Sequence, residues 1–364
     1  MMNRRDFARL SAAAAAVSAL PSALRAQAAT PSRKVRYAPV GLGLISVQHF
    51  MPGTRAGQYG EITGLVSGTA DKLQKLGSEY NVPAANQYTY QTFDKIKDNP
   101  NIDAVYIGLP NNMHAEYTVR AAEAGKHVLC EKPMAMNVKE CERMIAACKK
   151  NNRKLMIAYR CHLQQSHVEA RKLIQSGAMG KVESIEGAAG FNIARGVWRT
   201  KRQYAGGGPL MDIGIYALNA ARFVLGEEPS DVSAYSSVVD KGDERFQDIE
   251  ENVAWSLKFP SGAVASMTST YGANQEGFLR VHCSGGVVEI NGFGYNGISL
   301  KVKKGREPEA VTPDNGQGVY QFTIESDYFS QAVLNNTPIE PSGEEGLKDM
   351  QIIEKIYTSA GKKA

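Results

Sequence analysis

Residues 35–40 (VRYAPV) form a short apolar run that stops at Gly41, and a stretch with helical spacing follows. The alternation then repeats. A second strand is predicted at 62–66, helices around 71–80 and 93–97, and a strand at 102–109 (IDAVYIGL). That strand is apolar nearly throughout, as a parallel strand buried on both faces should be. A helix near 114–124 ends at Gly125, where a left-handed glycine suits a helix stop. Strand 127–130, helix 138–150 and strand 154–159 complete the series. Strands alternating with helices predict a doubly wound parallel sheet, the α/β Rossmann arrangement.

After about residue 160 the rhythm changes. A helix at 163–176 leads to a strand at 182–188, a glycine-rich loop and a helix at 209–225. Strands then dominate, at 231–239, 251–259, 263–271, 278–284 and 287–291. Such strand density predicts an α+β region built on a large, open, mostly antiparallel sheet. Helices near 320–335 and 345–360 close the chain. The expected division is 1–28 as a signal, 29–160 as a nucleotide-binding domain and 161–340 as a substrate and oligomerisation domain. Residues 341–364 are expected to carry a helix that packs back on the N-terminal domain.

Charge changes the picture mainly at the N-terminus. The whole chain carries +5, of which residues 1–28 hold +3 through Arg4, Arg5, Arg9 and Arg25 against Asp6. Asn3-Arg4-Arg5-Asp6-Phe7 reads as a twin-arginine leader, followed by an Ala-rich segment and a small-residue cleavage site at Ala26-Gln27-Ala28. The expectation is export to the periplasm through the twin-arginine machinery. No stretch reaches the ~18–20 apolar residues of a membrane-spanning helix. The small charge on the remainder, with no basic stripe, argues against a nucleic-acid partner. Five cysteines without paired spacing do not make a disulfide framework, and they read as small apolar residues. No metal site is expected.

Gly41-Leu42-Gly43-Leu44-Ile45-Ser46 sits between a strand and a helix. The first glycine permits a tight turn, and the second lets the backbone approach a pyrophosphate stabilised by the helix N-terminus. Ser46 replaces the third glycine and is small enough for close packing. Pro39 is at odds with a central strand, since it has no N–H to donate. At the end of the second strand, where an acidic residue would bind ribose hydroxyls, stand Ser67 and Gly68, with Lys72 one turn on. Serine does not repel a 2′-phosphate and lysine attracts it, so the reading is NADP over NAD; a solvated helix lysine is the plain alternative.

Candidate chemistry lies further along. Strand 127–130 runs into Glu131-Lys132-Pro133, which places Lys132 at the carboxyl end of the sheet, where ligands bind. Pro133 restricts Lys132 to an extended backbone. In Gly206-Gly207-Gly208-Pro209-Leu210-Met211-Asp212-Ile213-Gly214-Ile215-Tyr216, Asp212 and Tyr216 are four apart and share a helical face. Taken alone, Lys132 also suits a surface turn and Tyr216 a half-buried core position.

These segments, with Leu109-Pro110-Asn111-Asn112-Met113-His114 and Ala124-Gly125-Lys126-His127-Val128-Leu129-Cys130-Glu131-Lys132-Pro133, occur in one order. The chain resembles the glucose–fructose oxidoreductase / inositol dehydrogenase / rhizopine-catabolism (Gfo/Idh/MocA) family over nearly all of its length after the signal. Tyrosine at 216, where many relatives carry histidine, together with Tyr159-Arg160-Cys161-His162 and Trp198-Arg199, resembles the glucose–fructose oxidoreductase branch. The resemblance implies that Lys132 binds the reacting oxygen, Tyr216 is the acid/base and Asp212 orients the sugar. It also implies that Arg160, His162, Trp198 and Arg199 line the cleft. Asn111 and His114, with Leu109, Pro110 and Glu131, are implied near the nicotinamide, and Tyr90 near the cofactor's other half. A homodimer or homotetramer joined through the open sheet is implied too, and a bare face is expected to expose apolar surface. One departure is visible: the long arm that follows the signal in glucose–fructose oxidoreductase is reduced here to about Ala29–Lys34.

The resulting expectation is oxidation of an aldose to its lactone coupled to reduction of a second sugar to an alditol, with NADP recycled in place. A proton-transferring Tyr216 would need its pKa lowered, and Lys132 is the expected cause. Two other functions fit the same residues: nicotinamide-dependent glycoside hydrolysis, and cofactor-loaded sugar binding without turnover.

Overall fold

The computed structural model describes residues 33–362, so the expected signal at 1–28 lies outside the described residues. The first sheet is parallel throughout, in the order β4-β3-β1-β5-β6-β7 with β2 beside β1. Its strands are β1 (Val35–Val40), β2 (Gly60–Ile62), β3 (Leu65–Val66), β4 (Gln87–Tyr88), β5 (Ala104–Ile107), β6 (His127–Cys130) and β7 (Leu155–Ile157). The expected second strand is split in two, and Pro39 explains where. Val35 and Gly41 donate from β1 to Tyr59 O and Val66 O at 2.8 and 3.0 Å. Pro39 lies midway on that edge and has no N–H. The break at Thr63-Gly64 falls opposite it: Thr63 N–H makes the last regular bond to Tyr37 O, and Gly64 N–H doubles up on the same oxygen at 3.1 Å.

The second sheet has eight strands in the order β15-β14-β13-β12-β8-β11-β10-β9. They are β8 (Val182–Gly190), β9 (Asp231–Ser237), β10 (Asn252–Lys258), β11 (Val264–Thr270), β12 (Gln275–Cys283), β13 (Gly286–Asn291), β14 (Ser299–Lys304) and β15 (Ala310–Pro313). Only the β8–β11 pairing is parallel. One face carries Ile185, Trp255, Leu257, Met267, Leu279 and Val281, all buried against the helix Ile215–Leu225 and its neighbours. The outward face does not match the expected apolar surface. It shows Ser233, Ser256, Ser266 and Thr268, with Arg280 paired to Glu186 and Glu289, and Lys301 beyond. Tyr235, Val264 and Val311 are its exposed large apolar side chains.

Packing interleaves the two sheets more than boundaries at 160 and 340 imply. The helix Tyr320–Leu334 lies on the first sheet's side, where Phe322 abuts Gly53 so closely that a Cβ there would come within 2.7 Å. Its Asp327 accepts from the N–H groups of Gln58 and Tyr59 at 3.0 and 2.9 Å. The C-terminal helix Gly343–Ser359 packs on β7 and on the helix Val138–Lys150, and its Ser359 hydroxyl also accepts from Ala234 in β9 at 3.0 Å. The five cysteines are free thiols, four of them buried.

Candidate active site

A cleft of about 380 Å³ opens beyond the carboxyl ends of the first sheet, walled on its far side by the second. Its nucleotide end is the turn after β1. Gly41 has φ +91°, and a Cβ there would be 2.6 Å from Gly108 O. Ser46 is fully buried and its hydroxyl donates to Gly41 O at 2.5 Å, so it closes the turn that a third glycine would leave open. Gly43 faces open space, with no atom within 4 Å of where a Cβ would stand. Leu44 is 73% exposed beside it. The Lys72 ammonium donates to Leu42 O at 3.0 Å, which places it over the turn with two further N–H groups to give. The Ser67 hydroxyl accepts from Thr69 N at 3.1 Å, and the Tyr90 ring lies against Gly68. Free space before a helix N-terminus with an ammonium above it fits a dinucleotide phosphate.

The reacting end gathers Lys132, Asp212 and Tyr216. Lys132 follows β6 and joins Pro133 through a cis peptide bond. Its ammonium donates to Asp212 O at 2.5 Å and lies 3.3 Å from Asp212 Oδ1. It also lies 4.6 Å from the centroid of the Tyr216 ring. Asp212 belongs to a π-helical segment, Leu210–Gly214, that runs into the helix Ile215–Leu225. Of the three glycines before it, Gly206 takes a left-handed φ of +79°, and the next two are dictated by crowding. A Cβ on Gly207 would meet Tyr357 OH at 2.1 Å, and one on Gly208 would meet Glu250 O at 2.4 Å. Asp212 Oδ2 accepts from Tyr271 OH at 2.7 Å and pairs with Arg199 Nε at 3.2 Å. Burial alone would raise its pKa, but Lys132, Arg199 and Tyr271 outweigh that and hold it below the ordinary carboxylate value.

Tyr216 departs from expectation. Burial raises the pKa of its phenol, and the positive neighbour that opposes this is Arg160, whose guanidinium carbon lies 5.1 Å from the ring centroid. Lys132 is over the ring face rather than at the hydroxyl. The expected lowering by Lys132 is therefore overturned: desolvation of the phenolate outweighs the nearby cation, and the phenol is protonated near neutrality.

The other expected residues divide. Leu109, Asn111, His114, Glu131, Arg160, Trp198 and Arg199 line the cleft. Asn111 Nδ2 donates to Ala205 O at 2.8 Å. His114 spans Leu109 O and Pro133 O, 2.9 Å from each, so both ring nitrogens tie loops together. Glu131 Oε1 accepts from Tyr106 OH at 2.6 Å, and burial raises its pKa. Arg160 donates to Gln321 Oε1 at 2.5 Å and to Phe293 O. Pro110 caps the helix Asn111–Glu123. His162 is a correction. It is buried away from the cleft, with Nε2 2.7 Å from Asn219 Oδ1 and its ring against Phe223. Arg160–Leu163 is a 3₁₀ turn, in which residues two apart point to different sides.

Residues 35–159 match the family described as "Oxidoreductase family, NAD-binding Rossmann fold" (GFO_IDH_MocA), and residues 167–289 match the GFO/IDH/MocA C-terminal domain. The chain is 32% identical over 332 residues to D-xylose 1-dehydrogenase (NADP(+)) of Haloarcula marismortui, across 90% of this chain and 91% of that one. The chain belongs to the Gfo/Idh/MocA oxidoreductase family. Among solved structures it is similar to aldose–aldose oxidoreductase from Caulobacter crescentus, with 44% identity and a TM-score of 0.87 over 90% of this chain and 98% of that chain. Levoglucosan dehydrogenase, in complex with NADH and levoglucosan, shares the fold at 24% identity and a TM-score of 0.79.

In this Gfo/Idh/MocA member, some cleft residues come from outside the segments that carry the family resemblance. Phe293 and Tyr295, after β13, wall the cleft opposite Tyr216, with the Phe293 ring stacked 6.0 Å from that of Tyr216. His49, in the π-helical turn Ser46–Phe50, stacks on Tyr295 at 4.3 Å. The run Gly292-Phe293-Gly294-Tyr295, aromatic residues spaced by glycines between two strands, is the signal that would have drawn attention to that wall.

Proposed function

We propose that the protein is an NADP-dependent sugar oxidoreductase that oxidises an aldose to its lactone and reduces a second sugar to an alditol in the same cleft. The observation that carries this reading is the convergence of Lys132, Asp212 and Tyr216 in one cavity that opens onto the glycine turn. The names of the similar proteins, a xylose dehydrogenase acting with NADP and an aldose–aldose oxidoreductase, support the substrate class. NADP supplies the hydride acceptor in the first half and its reduced form the donor in the second. The anomeric C–H of the aldose gives up hydride and its hydroxyl gives up a proton; the second sugar's carbonyl carbon and oxygen take them back. Lys132 donates to the reacting oxygen and polarises it in the reductive half. The protonated Tyr216 phenol is the proton donor there, and its phenolate is the acceptor in the oxidative half. Asp212 holds Lys132 and a sugar hydroxyl.

Export through the twin-arginine route belongs to the same proposal, supported by Arg4-Arg5 on a chain that needs a cytosolic cofactor. An enzyme exported with NADP inside must restore it at each turnover, which makes the kinetics ping-pong. Assembly as a dimer or tetramer through the outward face of the second sheet is proposed as well, and sedimentation as a clean monomer would contradict it. The functional test is a sugar panel added to purified protein without cofactor. Appearance of reduced nicotinamide with an aldose, and its loss with a second sugar, is expected. Binding of sugars without any change in nicotinamide absorbance would contradict it.

A further inference from the structure

Asp212 has a partner outside the motifs on which the resemblance was read, Tyr271. Tyr271 directly follows β11 and is fully buried. Its N–H donates to Glu251 O at 2.9 Å and its carbonyl accepts from Ile193 N at 3.0 Å. Its ring packs edge-on against Phe191 at 5.1 Å, in a cluster with Ile193, Phe246 and Ile249. Main chain and ring are thus both fixed, and the hydroxyl donates to Asp212 Oδ2 at 2.7 Å.

The same strand end also fixes the start of the Asp212 helix. Ser269, two residues earlier and pointing to the same side, has its one hydroxyl proton between Ala189 O at 2.8 Å and Pro209 O at 3.2 Å. Gly214 approaches it so closely that a Cβ would lie 2.9 Å from Ser269 Cβ. Ser269 and Tyr271 thereby hold the backbone and the carboxylate of one short segment.

The carboxylate's two oxygens are then divided. Oδ2 is taken by Tyr271 and Arg199, which leaves Oδ1 turned to Lys132. We propose that Tyr271 is a positioning residue for the reaction: its phenol fixes the Asp212 carboxylate so that Oδ1, together with the main-chain oxygen of Asp212, keeps the Lys132 ammonium beside Tyr216. It acts through Asp212 and reaches the sugar only by that route. Burial and the adjacent carboxylate keep the Tyr271 phenol protonated well beyond its ordinary range, so it remains a donor across the working pH. The titratable groups that face Asp212 are Lys132 from the end of β6, Arg199 from the turn Trp198–Thr200, Tyr271 after β11 and Tyr216 on its own helix.

This inference rests on the sugar-oxidoreductase reading, and its test separates the two. Tyr271→Phe keeps the ring and removes only the donor. A carboxylate that loses a hydrogen bond to its charged form titrates at higher pH. The Asp212 carboxyl, followed by carbon-13 NMR as the signal missing from Asp212→Asn, should titrate higher by on the order of one unit in Tyr271→Phe. Turnover of an active aldose should fall roughly tenfold in kcat with KM little changed, the size of one lost hydrogen bond to a charged group. The acid limb of the pH profile should move up with the carboxyl. With an active wild type, a Tyr271→Phe enzyme of normal kcat and unmoved acid limb overturns the proposal. A wild type inactive on every sugar sinks the functional reading instead. The carboxyl titration then decides for Tyr271 alone, and an unshifted carboxyl overturns its role.

Discussion

The ammonium of Lys132 lies 2.5 Å from the main-chain oxygen of Asp212 and 3.3 Å from its carboxylate, above the face of the Tyr216 ring. Lysine is anchored by aspartate, and Arg160 is the cation that faces the Tyr216 phenol. The phenol beneath is buried and carries its proton near neutrality. On the proposed two-sugar mechanism, this arrangement makes the half-reactions respond differently to pH.

The oxidative half needs the Tyr216 phenolate as acceptor, and below the phenol's raised pKa that form increases about tenfold per pH unit. The rate of bound NADP reduction by an aldose should therefore climb steadily between about pH 6 and 9. The reductive half uses the protonated phenol and should be flat over the same range. Rapid-mixing measurements of each half at several pH values check this; a flat oxidative half would take Tyr216 out of the base role.

Lys72 lies over the glycine turn, and the proposed NADP preference assigns its ammonium to the 2′-phosphate. Lys72→Ala should weaken NADP binding by on the order of 10–100-fold, the worth of one charge-assisted hydrogen bond, and leave NAD binding nearly unchanged. Titration with both cofactors reads this directly. Equal losses for the two would remove Lys72 from cofactor choice.

Much of the architecture is legible in the chain because its signals are local. The apolar run 35–40 ending at Gly41, the strand leading into Lys132 and the four-residue spacing of Asp212 and Tyr216 each need only a few neighbours. β14 and β15 are not legible, since Lys301, Lys303 and Lys304 make β14 read as surface loop and β15 is a four-residue exposed edge. Tyr271 reaches Asp212, and Tyr295 the cleft, only through long-range pairing of the second sheet, in which β8 lies between β11 and β12, and no local pattern specifies that. The resemblance implies His162 in the cleft beside Arg160, but the 3₁₀ turn Arg160–Leu163 sends the two to different sides.

Arg222 joins the helix Ile215–Leu225 to the C-terminal helix through buried Asp349, with Glu228 and Glu345 alongside. Arg222→Leu leaves the Asp349 carboxylate buried beside Glu345 without its countercharge. Loss of one partner of a buried pair costs about 3–5 kcal/mol. Urea unfolding should show a drop of that size, and a change under about 1 kcal/mol would mean that relaxation or water compensates.

Arg4 and Arg5 are the proposed export determinant. Replacing both with lysine should leave folded protein in the cytoplasm, as judged by fractionation. An unchanged periplasmic yield would contradict the twin-arginine route.

The central claim is that one cleft serves two sugars in turn, the nicotinamide carrying the hydride and Tyr216 the proton. The direct measurement is single-turnover reduction of bound NADP by an aldose, then its reoxidation by a second sugar, in wild type and in Tyr216→Phe. A positioned acid/base contributes about 10²–10⁴-fold. The account predicts a loss of that size in both halves with NADP and sugar still bound, and at least as large a loss in Lys132→Ala. Near-normal rates in Tyr216→Phe would contradict it and leave Asp212 as the base.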